Sequence, residues 1–140
     1  MGKLILVVDD DADDRDLFRE ALTETDKNAG YLCAHNGIEA IELLSKPNIV
    51  LPDFIFLDLN MPRLDGRGCL IRLRRMPWLN EIPVIIFSTS KLNEECASFK
   101  KLGASLCLTK PLLFEDLKKV ISFVISEEWN HSASLSANGQ

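Results

Sequence analysis

The sequence predicts one doubly wound α/β domain, with five parallel strands alternating with five helices, and three observations predict it. Short, wholly apolar runs recur along the chain, as strands buried on both faces require. Segments with a helical apolar stripe lie between them on short connections, which implies helices covering both faces of a parallel sheet. Three of the runs end in charge: Leu6-Val7-Val8-Asp9-Asp10, Phe54-Ile55-Phe56-Leu57-Asp58 and Leu106-Cys107-Leu108-Thr109-Lys110-Pro111. Those C-terminal strand ends form the edge where open parallel sheets bind ligands.

Residues 4–8 are apolar at every position, and the acid-led segment 13–22 carries a stripe of Leu17, Phe18, Ala21 and Leu22. Tyr31-Leu32-Cys33-Ala34 reads as the second strand, closed by Asn36-Gly37. The next helix turns Ile38, Ala40, Ile41, Leu43 and Leu44 inward, and Pro47 stops it. Residues 54–57 form the third strand, and 60–66 are loop chemistry leading to a helix through Arg75. The fourth strand, 83–87, runs into Ser88-Thr89-Ser90. A helix over 93–102 ends at Gly103, suited to the left-handed position past a helix end. The fifth strand spans 106–108, and a last helix from Phe114 to about Trp129 has Leu117, Val120, Ile121, Val124 and Ile125 inside. Residues 1–130 are therefore expected to form the domain, and the Ser-, Ala- and Asn-rich stretch 131–140 a disordered tail.

At 140 residues, 46% hydrophobic and 26% charged, the chain can bury one substantial core. A formal charge of −5 gives no sign of nucleic-acid or membrane affinity, and no apolar run approaches the roughly 20 residues of a membrane span. Cys33, Cys69, Cys96 and Cys107 show no metal-type spacing. Met1-Gly2-Lys3 leads straight into a strand without room for a signal peptide, so a cytoplasmic protein with reduced thiols is expected.

Asp9, Asp10, Asp11, Asp13, Asp14 and Asp16 crowd the first loop and helix start. The bland reading is a solvated face, or acids capping a helix. In strand order 2-1-3-4-5, however, strands one and three are neighbours, which brings Asp9, Asp10 and Asp58 together. Crowded carboxylates resist ionisation, and a divalent cation removes that penalty. Oxygen-only ligands with retained waters suit Mg²⁺. Asp58 is then the candidate nucleophile toward a phosphoryl group, with Lys110 as counter-charge and Ser88 as hydroxyl donor. The carbonyl of Asn60 completes the expected metal shell, Pro62 and Gly66 shape the loop, and Asp65 reads as a helix cap. Lys110-Pro111, for which a cis bond is one option, points to a fixed loop rather than a surface charge beside a turn.

These motifs resemble the receiver domain of two-component response regulators, of flavodoxin-like fold, over roughly residues 3–126. The resemblance rests on Val8-Asp9-Asp10, Leu57-Asp58-Leu59-Asn60-Met61-Pro62 with Asp65-Gly66, Pro83 to Thr89, and Thr109-Lys110-Pro111. It implies that Asp58 accepts phosphate from a sensor histidine kinase or histidine phosphotransfer protein, and that Asp9, Asp10, Asp58 and the Asn60 carbonyl bind Mg²⁺. It places Ser88 at the Ser/Thr switch position, Lys110 at the family's lysine, and Thr89 and Cys107 among the switch or contact positions. Residues 57–66 and 82–90 look most like stand-alone, chemotaxis-receiver-like proteins paired with phytochrome-type and other sensor kinases.

Cys107 departs from the family, which often has Tyr or Phe there. That departure moves the expected coupling to the backbone of 88–91 and the helix from Asn93. With no output region after the last helix, protein contact or phosphate relay is expected as output. Contacts are expected through residues 93–129, where Phe123 and Trp129 either enlarge an apolar patch that favours a homodimer or are ordinary packing. The competing classes are a phosphorylation-independent interaction module and an aspartyl-phosphate hydrolase. The hydrolase would want a second acid where Asn60 stands. A flavin protein is disfavoured by the acidic first loop.

Overall fold

The computed structural model describes residues 2–89 and 94–129. Among them, five parallel strands form one sheet in the order β2-β1-β3-β4-β5. The elements are β1 (Leu4–Val8), α1 (Ala12–Thr25), β2 (Gly30–Ala34), α2 (Gly37–Leu44), β3 (Phe54–Leu57), α3 (Gly66–Arg74), β4 (Val84–Ser88), α4 (Cys96–Lys101), β5 (Leu106–Thr109) and α5 (Phe114–Ser126). A short 3-10 turn, Pro77–Leu79, follows α3. Strand order and alternation are those expected from the sequence.

Strand alternation divides the core in two. Ile5, Val7, Phe54, Phe56, Ile85 and Phe87 face α1 and α5, where Phe18, Leu22, Ile121 and Val124 meet them. Leu6, Val8, Ile55, Leu57, Val84 and Ile86 face α2, α3 and α4 and pack with Leu44, Leu70, Leu73 and Phe99. Because both faces are covered, every β3 residue is buried, which is why that strand reads as apolar throughout. Phe56 stands between Phe18 and Phe87 in edge-to-face contacts, with centroids 4.8 and 5.4 Å away.

Helix ends differ from the periodicity-based limits for local reasons. α1 continues to Thr25 because the Thr23 and Thr25 hydroxyls bond back to the carbonyls of Arg19 and Ala21. α5 stops at Ser126, since Glu127 turns left-handed at φ 59°. Trp129 then folds back, its Nε1 donating to the Val124 carbonyl at 3.0 Å and its ring packing on the α1/α5 side of the core. This half-buries Trp129 as ordinary packing, the second of its two readings, while Phe123 stays exposed. The described part of α4 begins at Cys96; Asn93, Ser90, the expected 88–91 coupling loop beyond Thr89 and the 131–140 tail lie outside the described residues. Gly103 adopts φ 111° just past α4, as expected of a residue closing a helix. The Lys110–Pro111 bond is trans.

Phe56→Ala empties the centre of the aromatic trio, and urea unfolding should show a loss of about 3–5 kcal/mol in stability.

Candidate functional site

Asp9, Asp58 and Lys110 each stand one residue past a strand and are pinned there by the backbone. The amide of Asp9 donates to the Ala34 carbonyl at 3.1 Å, that of Asp58 to Val8 at 2.9 Å, and that of Lys110 to Ser88 at 2.8 Å. Each bond extends a sheet ladder by one step, so the three side chains leave the same edge from fixed roots. The loop after β3 is held as firmly. The Asp65 carboxylate caps α3 by accepting from the Gly68 amide at 2.8 Å, as its sequence position suggested. The Gly66 amide donates to the Leu59 carbonyl at 3.0 Å. A Cβ on Gly66 would come within 2.5 Å of the Asp58 carbonyl oxygen and 2.7 Å of the Leu59 Cα, so this close approach admits only glycine.

Oxygens of Asp9, Asp10 and Asp58 lie within 4.8 Å of one another. Asp9 and Asp58 are buried, at 4% and 7% exposure, while Asp10 opens to solvent. An oxygen-only donor set with one open side fits a hard divalent cation that keeps part of its water. Lys110 Nζ enters the same hollow, 2.6 Å from Asp9 Oδ2, 2.9 Å from Asp14 Oδ2 and 3.7 Å from Asp58 Oδ1. Ser88 is fully buried at the end of β4, and Thr89 and Asn60 are exposed at the rim. The structure therefore brings Asp9, Asp10, Asp58 and Lys110 together, with Ser88 at the end of β4 and Thr89 and Asn60 on the loops around them. Cys107 lies apart on β5, its thiol 3.7 Å from the carbonyl of Cys96 at the start of α4.

Two residues of the hollow were not singled out from sequence. Asp14, one acid in a run of six, supplies the second bond to Lys110. Arg15 donates to the Asp9 carbonyl at 2.7 Å and ties the acidic loop to α1. Their signal is helical phase: in a helix starting at residue 12, positions 14 and 15 turn toward the sheet edge while Asp13 and Asp16 face solvent.

The electrostatics follow from burial. Asp58 is pushed up to about 6, first by burial, with Lys110 opposing and Asp9 adding to the rise. For Lys110, burial alone would lower the pKa, but its bonds to Asp9 and Asp14 outweigh this and hold it above the ordinary lysine range.

Comparison with known proteins gives the class. Residues 5–122 match the response regulator receiver domain family. Response regulator Rcp1 of Synechocystis is 30% identical over 139 residues, covering 96% of this chain and 94% of Rcp1. A structure of Rcp1 in its Mn²⁺-bound form superposes with a TM-score of 0.77 over 91% of this chain and 94% of that one. The phosphorylated cyanobacterial phytochrome response regulator RcpA, 29% identical, superposes with a TM-score of 0.81 over 94% and 96%. The sensor histidine kinase RcsC of Escherichia coli is 33% identical over 121 residues, which span 85% of this chain and 12% of RcsC. The chain belongs to the response regulator receiver domain family, as its motifs led one to expect. It is a signalling protein of a family that is phosphorylated by histidine kinases and binds a divalent metal.

The raised Asp58 pKa has a consequence for stability. An acid with a higher pKa folded than unfolded favours the folded state below both values, and that support is lost as pH rises from about 3.8 through about 6. In metal-free buffer, Asp58→Asn should therefore match the wild type near pH 4. At pH 8 it should be more stable by roughly 1–2 kcal/mol after allowance for solvent screening. Urea unfolding at the two pH values checks this, and added Mg²⁺ should favour the wild type only.

Proposed function

We propose that this chain is a phosphoacceptor switch whose acceptor is Asp58, within a receiver domain spanning residues 1–130. The observation that carries the reading is the gathering of Asp9, Asp10 and Asp58 oxygens within 4.8 Å, with Lys110 Nζ 3.7 Å from the acceptor. A carboxylate oxygen of Asp58 attacks the phosphorus and forms an acyl phosphate. The bond to the donor's imidazole nitrogen breaks, and its electron pair leaves with that nitrogen. With a pKa of about 6, Asp58 is mostly ionised at neutral pH and keeps its nucleophilic oxygen free of a proton.

Asp9, Asp10, Asp58 and the Asn60 carbonyl are the residues that would hold Mg²⁺. When bound, that ion supplies positive charge to the phosphoryl oxygens. Lys110 brings a second positive charge, and Ser88, one residue before the exposed Thr89, carries the hydroxyl that reports the phosphoryl group to the β4 loop. Self-catalysed phosphorylation and dephosphorylation are weak, and for the second of these the site presents no further acid at Asn60 to activate water.

The phosphodonor is a sensor histidine kinase or histidine phosphotransfer protein, and the likeness to RcpA and Rcp1 favours one of phytochrome type. A cavity of about 220 Å³ opens beside the acids, lined by Leu17, Phe87, Thr89, Lys110 and Leu112 among others. Leu112 is wholly exposed and Leu17 nearly half so, which gives an incoming donor an apolar seat beside the acids. The face over residues 93–129, with Phe123 exposed, is left for output contacts or a homodimer. Four free thiols suit the reducing cytoplasm.

Incubation with labelled acetyl phosphate and Mg²⁺ tests the reading. Wild type should be labelled, while Asp58→Asn and chelator-treated wild type should not. Lys110→Ala should slow labelling about 100-fold, the usual effect of losing one preorganised charged donor. An unlabelled wild type would instead support a phosphorylation-independent interaction module on this fold.

A further inference from the structure

The Lys110 ammonium has three N–H bonds to give, and two of them go to Asp9 and Asp14, at 2.6 and 2.9 Å. Asp58 Oδ1, at 3.7 Å, is beyond hydrogen-bond length. Asp14 is not one of the three acids whose oxygens converge on a common point. It stands on the first turn of α1 and draws the ammonium toward that helix. We propose that Asp14 is a positioning residue that holds Lys110 back from Asp58 in the unphosphorylated protein, and so weakens the grip on a phosphoryl group there. The inference rests on the phosphoacceptor function proposed above.

The physical case is differential. A phosphoryl group on Asp58 replaces one negative charge with about two and adds acceptor oxygens nearer the lysine. Those oxygens compete with Asp14 for the ammonium, and a shift of Nζ toward them to reach a charge-assisted length of about 2.7–2.9 Å stretches the bond to Asp14. A contact that is full in one state and stretched in the other favours the first. Lys110 is 12% exposed and Asp14 37%, so the pair is screened less than a surface pair. Asp9 does not discriminate in this way, because it sits beside Asp58 on the adjacent strand, where the phosphoryl group itself would lie.

Simple repulsion of the phosphoryl group by any nearby acid is the competing explanation, and Asp13 controls for it. That residue is exposed on the same turn, has the same charge and is not among the acids bonded to Lys110. Beryllofluoride with Mg²⁺ is titrated into wild type, Asp14→Asn, Asp14→Ser, Asp13→Asn and Asp58→Asn, and followed by fluorine NMR. The ¹⁵N resonance of the Lys110 ammonium is recorded alongside.

Both Asp14 variants should bind about fivefold tighter than wild type, the size of a partly screened ion pair. Their Lys110 resonance should move, whereas Asp13→Asn should bind within about twofold of wild type and leave it in place. Equal affinities for the Asp14 variants and wild type, or an equal gain in Asp13→Asn, would overturn the role of Asp14 alone, provided that Asp58→Asn does not bind. Failure of wild type itself to bind would overturn the phosphoacceptor reading and this inference together.

Discussion

Everything at the C-terminal edge of the sheet follows from carboxylates that cannot move apart. Asp9 and Asp58 are rooted by backbone bonds to the neighbouring strands, and those strands are buried on both faces. The repulsion between them cannot be relaxed by a small shift of a loop, because each root belongs to the rigid core. Burial pushes the Asp58 pKa up, Asp9 adds to the rise, and the ammonium of Lys110 offsets only part of it. Such a hollow is held in readiness for positive charge, and the fold bears the cost of that crowding continuously.

The same rigidity makes the surrounding contacts meaningful. Gly66 brings the α3 start against the acceptor's own backbone, and Arg15 fixes the carbonyl of Asp9 from α1. The acids are thus braced from two helices lying on opposite faces of the sheet. Lys110 reaches the hollow from the end of β5 on a long side chain, with acids at three distances from its ammonium.

Much of this was legible in the sequence, for a physical reason. A strand buried on both faces must be apolar at every residue, so an acid or lysine straight after it marks the sheet edge without ambiguity. Asp65 and Gly103 were legible because helix ends leave unsatisfied backbone groups that few residue types can serve. What could not be read depended on facing. Six acids crowd 9–16, and only the phase of α1 shows that Asp14 reaches Lys110 while Asp13 does not. Arg74 is a sharper case: its guanidinium donates to the carbonyls of Gly103, Leu79 and Ile82, uniting the turn after α3 with the end of α4. Those partners lie five, eight and twenty-nine residues away, and no local pattern announces them. Trp129 reads as a continuation of α5 because nothing in its apolar character signals that Glu127 turns the chain first.

Cys107 bears on how a change at the hollow would travel. Its side chain packs on the α2/α3/α4 side of the core, where the thiol meets the Cys96 carbonyl. Burial, joined by the hydrogen bond with Cys96, pushes this thiol up to about 12, so it stays neutral and acts as a small packing group. α4 has six residues and buries only Phe99 among them. From α3, Arg67 stacks on that ring at 4.6 Å and bonds Ser98 at 3.0 Å. An element held by one ring, one guanidinium and one thiol has few contacts to break, which puts it at the low end of local stability in this fold. A movement of β4's end would therefore be cheapest to accommodate at α4. With a thiol in place of a large ring on β5, the coupling would lie in how α4 seats on Phe99 and Cys107 rather than in rotation of an aromatic side chain.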